Sequence, residues 1–142
     1  KAVTPVKENT FAVSCNSGSS VSGSFKIATN TAMEVESGSN AKIELQTKSL
    51  ALDASSGSSL KLSGSADSGV ISANSGSSVS AGDFVMKTAV VQATSGSSVK
   101  INTTESVTAS ASSAASIQYK GNPSKVTKSA QEVTGASITP IN

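Results

Sequence analysis

A small-residue corner followed by an apolar residue recurs seven times in this chain, once every 18 to 21 residues. The copies are Ser17-Gly18-Ser19-Ser20-Val21, Ser37-Gly38-Ser39-Asn40-Ala41, Ser56-Gly57-Ser58-Ser59-Leu60, Ser75-Gly76-Ser77-Ser78-Val79, Ser95-Gly96-Ser97-Ser98-Val99, Ser113-Ala114-Ala115-Ser116-Ile117 and Thr134-Gly135-Ala136-Ser137-Ile138. Successive Gly18-type positions are separated by 20, 19, 19, 20, 18 and 21 residues. A unit this short cannot bury an apolar face alone. Stacked copies bury a continuous one, so the period specifies a solenoid.

Alternating runs flank each corner. After it, one inward column is Val21, Ala41, Leu60, Val79, Val99, Ile117 and Ile138, and a second is Gly23, Ile43, Leu62, Ala81, Ile101, Tyr119 and Pro140. Between them Ser22, Lys42, Lys61, Ser80, Lys100, Gln118 and Thr139 face outward, the period of two that marks a strand. Before the corner run Val13, Met33, Leu52, Ile71, Val91, Ala109 and Ala130, and then Cys15, Val35, Ala54, Ala73, Ala93 and Ala111, a column that Glu132 breaks. A less regular apolar cluster includes Phe25, Ile27, Phe84 and Met86.

Three short strands and three corners per coil fit these columns. The expected fold is all-β: a single-stranded parallel β-helix over residues 1–142, of six to seven coils of 18–21 residues. Right-handed coiling follows from the bias of parallel crossovers. Coils ~4.8 Å apart make a rod roughly 30 Å long with a filled bore. The glycines Gly18, Gly38, Gly57, Gly76, Gly96 and Gly135 are expected at positive φ, with Ala114 as the one exception. The Ser20-type residues form a polar ladder that serves the corners.

Composition narrows the function classes. Leu, Ile, Val and Phe total 29 of 142 residues, at the edge of the disordered range. A net charge of only +2, and apolar residues in register with the repeat, argue against disorder. Eleven Lys against nine acids suggest no basic stripe, and with no Arg and four aromatics, nucleic acid is not expected as a partner. No run approaches the length of a transmembrane helix, and no signal peptide is visible. Because the chain opens on Lys1, an upstream region is expected to be missing from it.

The string Tyr119-Lys120-Gly121-Asn122-Pro123, after a ladder of Ser-Gly-Ser-Ser corners, resembles the putative auto-transporter adhesin, head GIN domain family, as does Leu60-Lys61-Leu62-Ser63-Gly64-Ser65-Ala66-Asp67. The resemblance covers most of residues 10–142. It implies a β-helical domain of secreted or cell-envelope proteins of Bacteroidetes-type bacteria, extracytoplasmic, with glycans or surface proteins as partners. It carries over no catalytic residues. It also implies that this chain is the C-terminal, regular part of a longer domain. The rod ends are then candidate contacts for oligomerisation, because open strand edges pair readily.

Candidate chemistry is sparse. The absence of His excludes Ser-His-Asp and Cys-His catalysis and His-based metal sites, although a Ser-Lys arrangement stays formally open. The single Cys15 sits in an inward column and reads as a small core residue. Glu34 and Asp53 share an outward column one coil apart, ~5 Å from each other, and could form a hydrolytic dyad or a weak calcium site. The simpler reading is a solvated pair of like charges. Asp67 and Asp83 form no ladder, and the Gly-Gly-x-Gly-x-Asp calcium repeat is missing.

Ice binding needs aligned Thr, and three Lys interrupt the outward column. Tyr119 is expected to point inward. Asn122-Pro123 breaks the coil and opens an irregular insertion over 120–132, where Lys120, Asn122, Lys125 and Lys128 are the candidate binding residues. No cofactor or metal is implied. The reading is a non-enzymatic, extracytoplasmic adhesion-type or structural module. The alternatives are a carbohydrate-processing enzyme built on Glu34 and Asp53, or a purely structural envelope domain.

Overall fold

The computed structural model describes residues 10–26, 29–130 and 135–141. Among them every regular element is a strand: β1 (Thr10–Cys15), β2 (Ser20–Lys26), β3 (Asn30–Val35), β4 (Asn40–Ala54), β5 (Ser59–Ala73), β6 (Ser78–Ala93), β7 (Ser98–Ala111), β8 (Ser116–Lys120), β9 (Lys125–Ala130) and β10 (Ser137–Ile141). All pairings are parallel, in the order β1-β3-β4-β5-β6-β7-β8-β10, with β2 on β4 and β9 on β7. The result is a parallel solenoid of about six turns.

The columns read from the sequence are the core. Ala41, Leu60, Val79, Val99 and Ile117 are buried, as are Ile43, Leu62, Ala81, Ile101 and Tyr119. Met33, Leu52, Ile71, Val91 and Ala109 are buried too, along with Cys15, Val35, Ala54, Ala73, Ala93 and Ala111. Phe84 and Met86 lie fully inside, whereas Ile27 falls outside the described residues. At the last coil Pro140 is exposed rather than inward.

Instead of short separate strands, each middle coil is one strand of 14–16 residues that bends without losing its ladder. The bend has a pattern. Inward alternation runs from Ala41 to Thr47, slips by one residue across Lys48 and Ser49, and resumes at Leu50. Two consecutive outward residues turn the chain there. A second irregularity lies between Lys61 and Ser63 and again between Ala81 and Val85, where register shifts by a bulge.

The corners are tighter than expected. The residue before Gly18, Gly38, Gly57, Gly76, Gly96 and Ala114 also has positive φ, from Ser17 (57°) and Gly18 (76°) to Ser113 (54°) and Ala114 (67°). Ser39 N–H donates to the Glu36 carbonyl at 3.2 Å, and Ala115 N–H to that of Ser112 at 3.1 Å. Two left-handed central residues closed by such a bond match a type I′ turn. Coils are tied there by bonds such as Gly57 N–H to the Ser75 carbonyl, 3.0 Å.

A side chain at these glycines would meet nothing within 4 Å, which is why Ala114 fits. Its cost is backbone strain alone. Ala114→Gly is therefore expected to raise stability by roughly 0.5–1 kcal/mol, the left-handed penalty less the greater unfolded-state entropy of Gly. An unchanged or lower denaturant midpoint would refute that.

The Ser20-type ladder stays in solvent, with Ser116 and Ser137 hydroxyls 3.5 Å apart. The serine one place earlier turns inward. Ser39, Ser58, Ser77 and Ser97 are buried, and Ala115 and Ala136 continue the column. Ser77 donates to the Ala54 carbonyl at 3.0 Å, and Ser97 to those of Ala73 (2.9 Å) and Thr94 (2.8 Å).

Part of the segment 120–132 is regular. Lys125–Ala130 forms β9 in register with Ser106–Ala111, so the non-strand part among the described residues is 121–124. Ala130 is the register partner of Ala111, and Lys128 rather than Ala130 continues the Ala109 column. The two-residue difference from the expected columns therefore falls after Ala130. Glu132 lies outside the described residues. Lys128 ends its column with the ammonium 4.9 Å from the centroid of the Tyr119 ring. Charged Lys125 and Lys128 on β9, and Pro140 on β10, are residues that discourage further strand pairing at this end.

Candidate functional site

Two outward ladders of opposite charge lie on either side of the Ser-Gly corner. On the run before it, Glu34 and Asp53 are register partners. Glu36, next to the corner, lies close to Glu34. Repulsion from Glu34 comes first among the causes that raise its pKa from 4.5, followed by proton sharing with Glu34, burial and Asp53. Glu34 and Asp53 line a shallow groove of about 560 Å3 floored by Ala12, Ala32, Ala51 and Val70. No three described acidic or Cys side chains converge to hold a metal ion.

A raised pKa means that the folded state holds the Glu36 proton more tightly than the unfolded chain does. That advantage is complete below pH 4.5 and is lost as pH rises through the folded value. Glu34→Gln is accordingly expected to raise the melting temperature at pH 7, with the gain vanishing below pH 4.5. A gain that persists in acid would show that repulsion is not its cause.

On the run after the corner, Lys42 pairs in register with Lys61, Lys61 with Ser80, Ser80 with Lys100, and Lys100 with Gln118. Lys120 joins them from β8, beside Asn102. The whole-chain charge count predicted no basic stripe, but the register assembles one. Its lower half surrounds a recess of about 250 Å3 lined by Lys61, Ser80, Gly82, Asp83, Lys100, Lys120 and Ile141.

The recess exists because the column skips a large side chain at Ser80 and Gly82, next to the bulge. Asn102 donates from Nδ2 to the Gly82 carbonyl at 3.4 Å and steadies the bulge. A side chain beginning at Gly82 would lie 3.7 Å from Cδ of Lys100, so the Lys100 stem crosses bare backbone there.

The four residues expected to bind together are divided. Lys120 belongs to this recess, Asn122 is exposed in the 121–124 bend, Lys125 is exposed on β9, and Lys128 engages Tyr119. Lys42, Lys61 and Lys100 were visible as one outward column, and that was the signal that could have joined them to Lys120. Among the described residues the one ion pair is Lys87 with Asp67, 3.4 Å and well exposed on both sides, where little stability is gained.

No curated protein is significantly similar to this chain. Solved structures share its fold, among them two that cover nearly all of this chain. A putative adhesin from Bacteroides fragilis superposes with a TM-score of 0.76 at 14% identity, over 96% of this chain and 93% of that one. A putative lipid binding protein from Parabacteroides distasonis superposes with a TM-score of 0.64 at 21% identity; it covers 99% of this chain, which spans 56% of that one. At these identities the likeness is one of fold. The sequence itself matches a family model over residues 6–123, and the chain therefore belongs to the putative auto-transporter adhesin, head GIN domain family.

Proposed function

We propose that this chain is an extracytoplasmic, non-enzymatic binding module of the cell surface, engaging glycans or surface proteins through the outer faces of the solenoid. Membership of an adhesin-head family carries this reading. The packing is in keeping with it. The interior is filled by side chains such as Phe84, Ile43, Leu62 and Met86, so any ligand must be met on the outside. A rigid rod offers side chains at a fixed rise per coil, a geometry suited to repetitive or extended ligands.

The test is binding of the purified chain to an array of glycans and matrix proteins at physiological salt. Saturable binding without turnover is the expected result. Cleavage of a polysaccharide that Asp53→Asn abolishes would overturn it in favour of an enzyme using Glu34 and Asp53. A folded chain that binds nothing on the array would leave a structural envelope domain.

A further inference from the structure

We propose that the face carrying Lys42, Lys61, Lys100 and Lys120 docks a linear acidic polysaccharide, with one uronate carboxylate seated in the recess around Ser80. This deepens the binding-module reading and rests on it.

Charge placement is the first observation. Lys48, Asp67, Lys87 and Glu105 immediately precede the register partners Ser49, Ser68, Thr88 and Ser106, so signs alternate at that bend and Lys87 pairs with Asp67. On the lysine face the same fold does the opposite. Lys42 and Lys61 stand one coil apart at like charge, which opposes folding, and neither they nor Lys100 or Lys120 form an ion pair with a described residue. The acids nearest them are Glu44, two residues beyond Lys42, and Asp83 on the rim of the recess. A bound polyanion would relieve the repulsion.

Shape is the second observation. Three lysines line one concave site, and the ladder continues from it along the rod axis. Lys61 and Lys100 are two coils apart, ~10 Å. An extended pyranose chain advances by about one coil rise per sugar, so acidic groups on it meet lysines along the column.

Other polyanions fit less well. Without Arg there is no planar fork for phosphate, and no aromatic side chain lines the recess to stack bases. The exposed large apolar residues Val70, Val85 and Val126 are not among the recess-lining residues. Glu34, Glu36 and Asp53 repel the same ligand from the run before the corner.

Calorimetric titration of the full chain with an oligogalacturonate tests this. Saturable binding that weakens with salt is expected. Lys61→Ala combined with Lys100→Ala should lower affinity about tenfold or more, while Lys125→Ala on β9, outside the recess, should change it less than about twofold. Asp83→Asn should tighten binding, a gain that misfolding cannot produce.

The proposal is overturned if the oligogalacturonate does not bind, if a neutral galactan binds equally, or if the double variant binds as the wild type does. It is also overturned if phosphatidylglycerol vesicles or single-stranded DNA use the same lysines more tightly. A neutral glycan or matrix protein captured on the array, with no oligogalacturonate binding, removes this proposal and leaves the binding-module reading intact. A chain that captures nothing removes both.

Discussion

Gly64→Ala is expected to destabilise the protein by about 3 kcal/mol or more, the sum of a backbone penalty and a steric one. Gly64 has φ of 121°, well outside the left-handed region that Ser and Ala tolerate at the corners. A methyl group built there would drive into the carbonyl of Leu45, its register partner on the coil before. Backbone cannot yield as the end of a flexible side chain can, so two coils must move apart. Gly57→Ala is the control. Its φ is 77° and nothing lies within 4 Å, so left-handed strain less the unfolded-state entropy of Gly leaves a loss of about 0.5–1 kcal/mol. Denaturant midpoints for the two variants decide the matter. Equal losses would mean that the close approach of β5 to β4 is not what Gly64 provides.

That contrast marks how far the chain could be read beforehand. Gly57 and its equivalents were legible because the corner repeats them, and Ala114 shows that the space around them is open. Gly64 appears once, among Ser63, Ser65 and other small residues, and nothing local separates it from a flexible linker glycine. Its role depends on the Leu45 carbonyl, 19 positions earlier, which only the register brings near. The buried corner serines were hidden for another reason. Ser39 and Asn40 are both small and polar, and which one turns inward is decided by the left-handed pair before them. Once Ser37 and Gly38 are both left-handed, the next residue faces the core.

The candidate site divides in the same way. Alternation alone placed Glu34 beside Asp53, since neighbouring coils have a nearly constant length. It also placed Lys42, Lys61 and Lys100 in one column, yet averaging charge over the chain concealed them. The recess was not legible, because it needs the bulge between Ala81 and Val85, where Gly82, Asp83 and Phe84 have no register partner on β7. The register of β9 was obscured by counting back from Gly135. The extra residues fall after Ala130, so the count placed Lys128 outside the core column that it ends.

Phe84→Ala is expected to cost about 3–5 kcal/mol, the usual range for emptying a fully buried aromatic site. Phe84 is 0% exposed and is the largest of the fully buried side chains. It pairs in register with Gly64, which in turn pairs with Leu45, so large residues alternate with a position that has no side chain. The missing side chain at Gly64 helps a ring fit in a bore that is elsewhere lined mostly by Ala, Val, Leu and Ile. Met86, two residues on and also buried, can shift its flexible thioether and recover part of the lost contact, which favours the lower end of that range. In a solenoid each coil touches only its neighbours, so this loss falls on the junction between β5 and β6. Amide exchange should therefore quicken first in β5 and β6, ahead of β7 and β8. Uniform acceleration along the rod would show that the coils unfold as one unit, and a loss below about 1 kcal/mol would show that the coils close over the vacated space.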